Sequence, residues 1–136
     1  MNYKDLGAIS RVNIIYNENN ENEIREIILS YNSGKKLYIK YTRMCCEHSW
    51  FEYDESSLSN NDYKAIFIGR TIDSIDHTDD IDTETTGNCD GFKYFGHDHK
   101  FGHIYKITFT DNNSITFILY CTSNGYYDSS LETKIE

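Results

Sequence analysis

Apolar residues in this chain recur mostly at every second position, a pattern that predicts a protein built from β-strands. Val12, Ile14 and Tyr16 alternate with Arg11, Asn13 and Ile15, and Asn17 to Asn22 then reads as a solvated loop. The spacing from Glu23 to Tyr31 admits a helix, but its β-branched Ile24, Ile27 and Ile28 favour a strand. Asn32-Ser33-Gly34-Lys35 carries turn residues, and Leu37, Ile39 and Tyr41 resume the alternation, so residues 23–42 read as a hairpin.

The next strand contains the chemically densest run of the chain, Cys45-Cys46-Glu47-His48-Ser49-Trp50-Phe51-Glu52-Tyr53. Period-two geometry puts Cys45, Glu47, Ser49, Phe51 and Tyr53 on one face, and Cys46, His48, Trp50 and Glu52 on the other. One short helix is signalled beyond it. Ser59 caps, Asp62 sits three residues on, Leu58 and Tyr63 form the flanking staple, and Gly69 stops the helix after Ile66-Phe67-Ile68. A helix of barely two turns depends on packing rather than propensity.

Thr71 to Gly87 is rich in Asp and Thr, with Ile72, Ile75 and Ile81 as its apolar anchors; it reads as an edge strand that continues into an exposed loop. Asn88 to Gly102 reads as a Gly-rich tip without regular structure. The clearest hairpin comes last. Tyr105, Ile107 and Phe109 alternate with polar residues, Asp111-Asn112-Asn113-Ser114 turns the chain, and Ile115, Phe117, Leu119 and Cys121 return on one face. Ser123-Asn124-Gly125-Tyr126-Tyr127 breaks the strand, and Leu131 to Ile135 adds a short terminal one. The sum is an α+β fold, mostly β: an antiparallel, barrel-like sheet of about five to seven strands with one short helix.

At 136 residues, 1–136 is expected to form one domain. Hydrophobic content is a low 38%, but 15% aromatic residues, twelve of them Tyr, can cover a core while keeping polar tips wet. The formal net charge of −9 repels a phosphate backbone, so direct nucleic-acid binding is not expected. A local basic patch remains compatible with a small phosphorylated ligand. The opening residues Met1-Asn2-Tyr3-Lys4-Asp5 are polar and no apolar run follows, so a cytoplasmic, reduced protein with no membrane span is expected, and the four Cys need not pair.

The residues also carry a resemblance. Leu6-Gly7, Cys45-Cys46-Glu47, Ile68-Gly69 and Ser123-Asn124-Gly125-Tyr126-Tyr127, in that order, make most of the chain resemble a family of small uncharacterised proteins encoded largely by tailed phages and related bacterial elements. The stretch from Asp73 to His103 is longer and richer in His and Gly than the family pattern, so the resemblance gives no role to His97, His99 or His103. It implies a phage setting, the cytoplasm of an infected bacterial host, a β-rich fold and a role against host immunity, without implying an activity.

Three kinds of site are open to these residues. For zinc, His97 and His99 share a strand face, and Cys46, His48, Cys89 and His103 are further candidates, but the usual paired Cys and His spacings are absent. For thiol catalysis, Cys46 has His48 and Glu52 on its face, yet no neighbouring Gly-rich nest offers an oxyanion hole, and a buried Cys is more often a small hydrophobe. For ligand binding, the rings of Trp50, Phe51, Tyr94, Tyr126 and Tyr127 suit a nucleobase, Arg43, Arg70 and Lys93 suit phosphates, and Asn124-Gly125 offers backbone N–H groups; the plain alternative is that these rings pack the sheet.

The expected function is therefore a non-enzymatic binder, without cofactor, that sequesters a small nucleotide-derived signal, with a homo-oligomer as a plausible assembly. The alternative is an acidic inhibitor of a basic host defence protein, acting through Asp73 to Glu84 and Asn17 to Glu26. A zinc-stabilised or thiol enzyme comes third.

Overall fold

Strand β2 (Asn20–Tyr31) is the element on which the others gather. One of its edges pairs antiparallel with β1 (Ile9–Asn17). Its other edge is shared: β3 (Lys36–Arg43) lies opposite Ile27–Ser30, whereas β4 (His48–Tyr53) takes over at Ile24, opposite Phe51. From β4 the sheet continues through β7 (Ser114–Ser123) and β6 (His99–Phe109) to β5 (Ile72–Glu84). From β3 it continues to β8 (Ser129–Ile135), and every pairing is antiparallel. The structure is a computed structural model that describes residues 2–18, 20–43, 48–53, 63–84, 99–123 and 129–136. Residues 20–22, 43, 48, 63, 64, 82–84, 99–101 and 123 are described by their backbone.

The sheet curls into a half-barrel, and β1 meets the chain entering β5 beside a short helix, α1 (Tyr63–Phe67). Gly69 N–H donates to the Ile9 carbonyl at 2.8 Å, and Ile9 N–H donates to the Arg70 carbonyl at 2.9 Å, tying β1 to the chain entering β5. Gly69 makes this turn at φ 81°, where a Cβ would be strained, so it ends the helix as expected. The Ser59 cap and the Leu58–Tyr63 staple lie outside the described residues.

Alternation then decides the packing. Ile27, Leu29, Leu37, Ile39, Phe51, Ile107, Phe109, Ile115, Phe117 and Leu119 all point to the concave face and are at most 2% exposed. Phe67 plugs one end of the curl, stacking on Phe117 at 6.2 Å and meeting Phe109 edge-on at 5.7 Å. That contact, rather than propensity, holds a five-residue helix in place. Strand β8 is tied to the same concave face. The Ser129 and Ser49 hydroxyls hydrogen-bond each other, and Leu131 N–H donates to Tyr105 Oη at 3.3 Å.

Four expectations change. The described residues form eight strands rather than five to seven. Asn17 pairs with Asn20, and Asn20–Asn22 belong to β2, so strand pairing reaches into the expected loop from 17 to 22. Thr71 to Gly87 does not give way to a loop after its first residues, since β5 stays paired with β6 through Glu84. The Gly-rich stretch 88–102 is strand from His99 onward, and the rest of it lies outside the described residues. The reason is common to the last two: cross-strand backbone hydrogen bonds hold β5 and β6 together whether or not the side chains are apolar.

Gly102 has a specific use in this ladder. A Cβ there would meet Ile118 Cγ2 at 3.0 Å, Tyr120 Cε1 at 3.3 Å and Ile81 Cβ at 3.4 Å, so the absent side chain admits the Tyr120 ring from the neighbouring strand. Among the described residues, no helix is long and apolar enough to cross a membrane.

Candidate functional site

Where β3 and β4 part along the edge of β2, the sheet forks. Ile27 is the last β2 residue paired with β3 on that side, and Ile24 is the one paired with β4. Between them β2 also bulges: Ile15 lies opposite Glu26 and Tyr16 opposite Ile24, which leaves Arg25 as an extra, exposed residue. Bulges of this kind re-aim a side chain and commonly sit beside binding sites. The fork opens into a cleft of about 490 Å³ lined by Asn17, Arg25, Glu26, Lys40 and Tyr41.

The cleft is braced from within. Asn17 Nδ2 donates to Glu23 Oε1 at 3.0 Å and to the Ser49 carbonyl at 3.2 Å, which ties the end of β1 to β4. Tyr41 Oη donates to Asn17 Oδ1 at 3.4 Å, while its ring packs edge-on against Phe51 at 5.4 Å. Two cations, Arg25 and Lys40, line the cleft with one carboxylate, Glu26, while a second carboxylate, Glu23, is bonded to Asn17 in its wall, so the cleft concentrates cationic side chains in a chain of net charge −9. Arg25 makes no hydrogen bond or ion pair among the described residues, which leaves its guanidinium fork available for a bidentate contact.

A second group lies on the concave side of β5 and β6. His103 faces Asp80 across the strands, and the register slips by one residue between His77 and Asp79. That bulge at Thr78 returns His77 and Asp80 to one face, although residues three apart in a regular strand would oppose each other. His77 Nε2–H donates to Asp80 Oδ1 at 2.7 Å, and His103 Nδ1–H donates to the same oxygen at 2.6 Å. Those hydrogen bonds, from His103 first and then His77, hold the Asp80 carboxyl below the usual carboxylate range. The His77 ring lies 5.3 Å from Tyr105 and edge-on to the His103 ring at 5.5 Å. Among the described residues this is the one group of three His, Cys, Asp or Glu side chains whose ligand atoms lie within 4.8 Å of one another.

The residues nominated from sequence are distributed differently. Trp50 is buried, stacks on Tyr120 at 5.5 Å, and donates from Nε1 to Glu52 Oε2 at 2.7 Å; its sharing a face with Glu52 is as expected. Arg70 donates to Asp111 Oδ2 at 3.0 Å and to the Ile66 carbonyl at 2.8 Å, with its guanidinium 5.9 Å above the Phe109 ring, so it ties the helix end to the β6–β7 turn. Trp50 aligns through Tyr120 with Gly102, whereas Arg70 sits at Phe109. Seven residues of β6 separate the two positions, about 23 Å at ~3.3 Å per residue, too far to grip one small ligand. Arg43 is placed by its backbone opposite Ser129, at the end of β3. Lys93, Tyr94, Asn124, Gly125, Tyr126 and Tyr127 lie outside the described residues.

Of the metal candidates, His103 belongs to the Asp80 group. His48 and His99 are placed by backbone alone, opposite Thr122 and Ser123, and Cys46, Cys89 and His97 lie outside the described residues. Sequence reading missed Arg25, Lys40, His77 and Asp80. The bulges at Arg25 and Thr78 interrupt the period-two pattern without any Gly or Pro to mark them. The available signal was a phase slip: Ile72, Ile75 and His77 share a face only if one residue between Ile72 and Ile75 is extra.

No protein-family model matches the chain, and no solved structure matches it. The chain is similar to an uncharacterized protein of Acanthamoeba polyphaga mimivirus, 28% identical over 135 residues that cover 92% of this chain and 94% of that protein.

Proposed function

We propose that this chain is a non-catalytic binding protein for a small, phosphate-bearing ligand of the nucleotide class, held in the cleft at the fork of the sheet. The observation that carries this reading is the bulged, exposed Arg25 beside Lys40 in one cleft. A volume of about 490 Å³ suits a ligand of nucleotide size, since small-molecule sites run to roughly 300–1,000 Å³. Arg25 can take a phosphate with two N–H groups, Lys40 adds a point charge, and Tyr41 gives the wall an aromatic surface. Binding without turnover suits a cleft whose lining, among the described residues, is Asn17, Arg25, Glu26, Lys40 and Tyr41, a set made to hold rather than to attack a ligand.

In a viral setting, which the mimivirus relative supports, such a protein withholds a nucleotide-derived signal from host defence. Native mass spectrometry of protein purified from expressing cells tests the reading. A retained small molecule that is lost from Arg25→Ala is the expected result. A protein that carries nothing and takes up none of AMP, ADP or ATP at millimolar concentration overturns it.

A second reading rests on a different surface. Asp76, Thr78, Asp79 and Asp80 are all exposed on β5, which ends the sheet among the described residues. That acidic edge suits docking to a basic partner protein, with an affinity that falls steeply as salt rises.

A further inference from the structure

The geometry of His77, Asp80 and His103 points to a divalent metal site of the zinc class, with two imidazole nitrogens and one carboxylate oxygen as its protein ligands. It is separate from the fork cleft and does not depend on the reading given to that cleft. Three features carry it. The ligand atoms come from two strands, and all lie within 4.8 Å of one another. The bulge at Thr78 is what turns His77 and Asp80 to the same side, and His103 meets them as the direct cross-strand partner of Asp80. Their separations also come close to the need. Two ligand atoms on a tetrahedral zinc, each about 2.0–2.1 Å from the ion, stand about 3.3 Å apart. His77 Nε2 and His103 Nδ1 stand 2.7 and 2.6 Å from Asp80 Oδ1, somewhat short of that spacing, and within 4.8 Å of each other, so small rotamer adjustments that part the hydrogen-bonded atoms would admit an ion.

Binding exchanges two N–H···O hydrogen bonds for two N–metal bonds and moves each imidazole proton to the other ring nitrogen. Two imidazoles and one carboxylate select a borderline ion such as Zn²⁺ over Mg²⁺ or Ca²⁺, which take oxygen ligands. The side chains of His77 and Asp80 are 47% and 61% exposed, and that of His103 is 18% exposed, so the fourth position opens toward solvent on the β5 side. A water molecule or an external ligand fills that position. Tyr105 supports the arrangement from behind, its ring against His77 and its hydroxyl accepting a hydrogen bond from Leu131.

The test uses the full chain, stripped with chelator and titrated with Zn²⁺ alone under reducing conditions. Calorimetry of the wild type is compared with His77→Ala and with Asp80→Asn, which keeps the side-chain shape. Circular dichroism confirms that both variants are folded; both residues are surface-accessible, so their replacement spares the core. One equivalent bound by the wild type, weakened about tenfold or more by each substitution, is the expected result. A Co²⁺ complex with the intense visible absorption of tetrahedral coordination, lost in His77→Ala, gives a second readout. The proposal is overturned if Zn²⁺ fails to bind, or if both variants bind it as well as the wild type, which would place the ion on the cysteines or the other histidines.

Discussion

Replacing Tyr31 by Phe will raise the stability of this protein, and the gain will grow in alkali. Tyr31 ends β2 at 3% exposure, and its hydroxyl oxygen has no hydrogen-bond partner among the described residues. A buried, unpaired hydroxyl costs about 1–3 kcal/mol of desolvation, and removing it leaves a void of only one atom, so a gain of about 1 kcal/mol is expected at neutral pH. Burial, with a smaller contribution from Tyr3, pushes the Tyr31 hydroxyl up from 10.0 to about 12. Between those values the unfolded chain releases the proton and the folded chain keeps it, so stability falls as pH rises. Near pH 11 that difference amounts to about 1.4 kcal/mol. Once pH exceeds both values, the loss levels off at about 3 kcal/mol.

Urea unfolding of wild type and Tyr31→Phe at about pH 8 and about pH 11, followed by circular dichroism, measures both parts. Taking the difference between the two proteins cancels the other tyrosines. A variant less stable than wild type at neutral pH would mean that the hydroxyl has a partner. A gap of constant size across pH would mean that the Tyr31 hydroxyl is not desolvated in the fold.

Other substitutions read separate parts of the account. Gly102→Ala drives a Cβ to 3.0 Å from Ile118 and 3.3 Å from Tyr120, and loses about 1–3 kcal/mol in chemical denaturation. Phe67→Ala removes the plug between Phe109 and Phe117 and loses about 3–5 kcal/mol, with the curl opening beside α1 first in hydrogen exchange. Arg70→Ala breaks a partly exposed ion pair with Asp111, lowers stability by ~1 kcal/mol or less, and leaves ligand binding unchanged in calorimetry. That last result separates the fork cleft from any site that requires Arg70.

The strands were legible where the pairing is regular. Leu37, Ile39 and Tyr41 in β3, Ile107 and Phe109 in β6, and Ile115, Phe117, Leu119 and Cys121 in β7 alternate because each strand buries one face, and the concave core collects those residues. The turn at Asp111–Asn113 was legible as well, since Asn112 adopts φ 71° and Asn113 N–H bonds the Asp111 carboxylate. Strand β5 was readable only at its start. Its extra residues at Asp73 and Thr78 shift the phase twice, so its inward-facing residues follow no single period.

The candidate site was the least legible part. Arg25 and Lys40 lie fifteen positions apart in the sequence. They share a cleft because β4, rather than β3, continues along β2 past Ile27, a choice of partner that no local pattern records. Trp50 illustrates the reverse case. As a lone tryptophan beside Cys and His it drew attention as chemistry, while its indole is occupied by Tyr120 and Glu52. His103 is the one expected metal residue whose side chain is described, and it enters a ligating group. Its partners His77 and Asp80 sit in the acidic stretch from Asp73 to Glu84, whose charge reads as a docking surface rather than as metal ligands.

Calorimetric titration with ADP of the wild type and of Arg25→Ala tests the central claim most directly. Arg25 is exposed and has no partner among the described residues, so its removal leaves the fold intact and isolates its contact with the ligand. The account predicts one saturable site in the wild type, weakened about tenfold or more by the substitution, as losing a charge-assisted bidentate contact requires. Affinity that is identical in the two proteins, or heat that never saturates in the wild type, would contradict it.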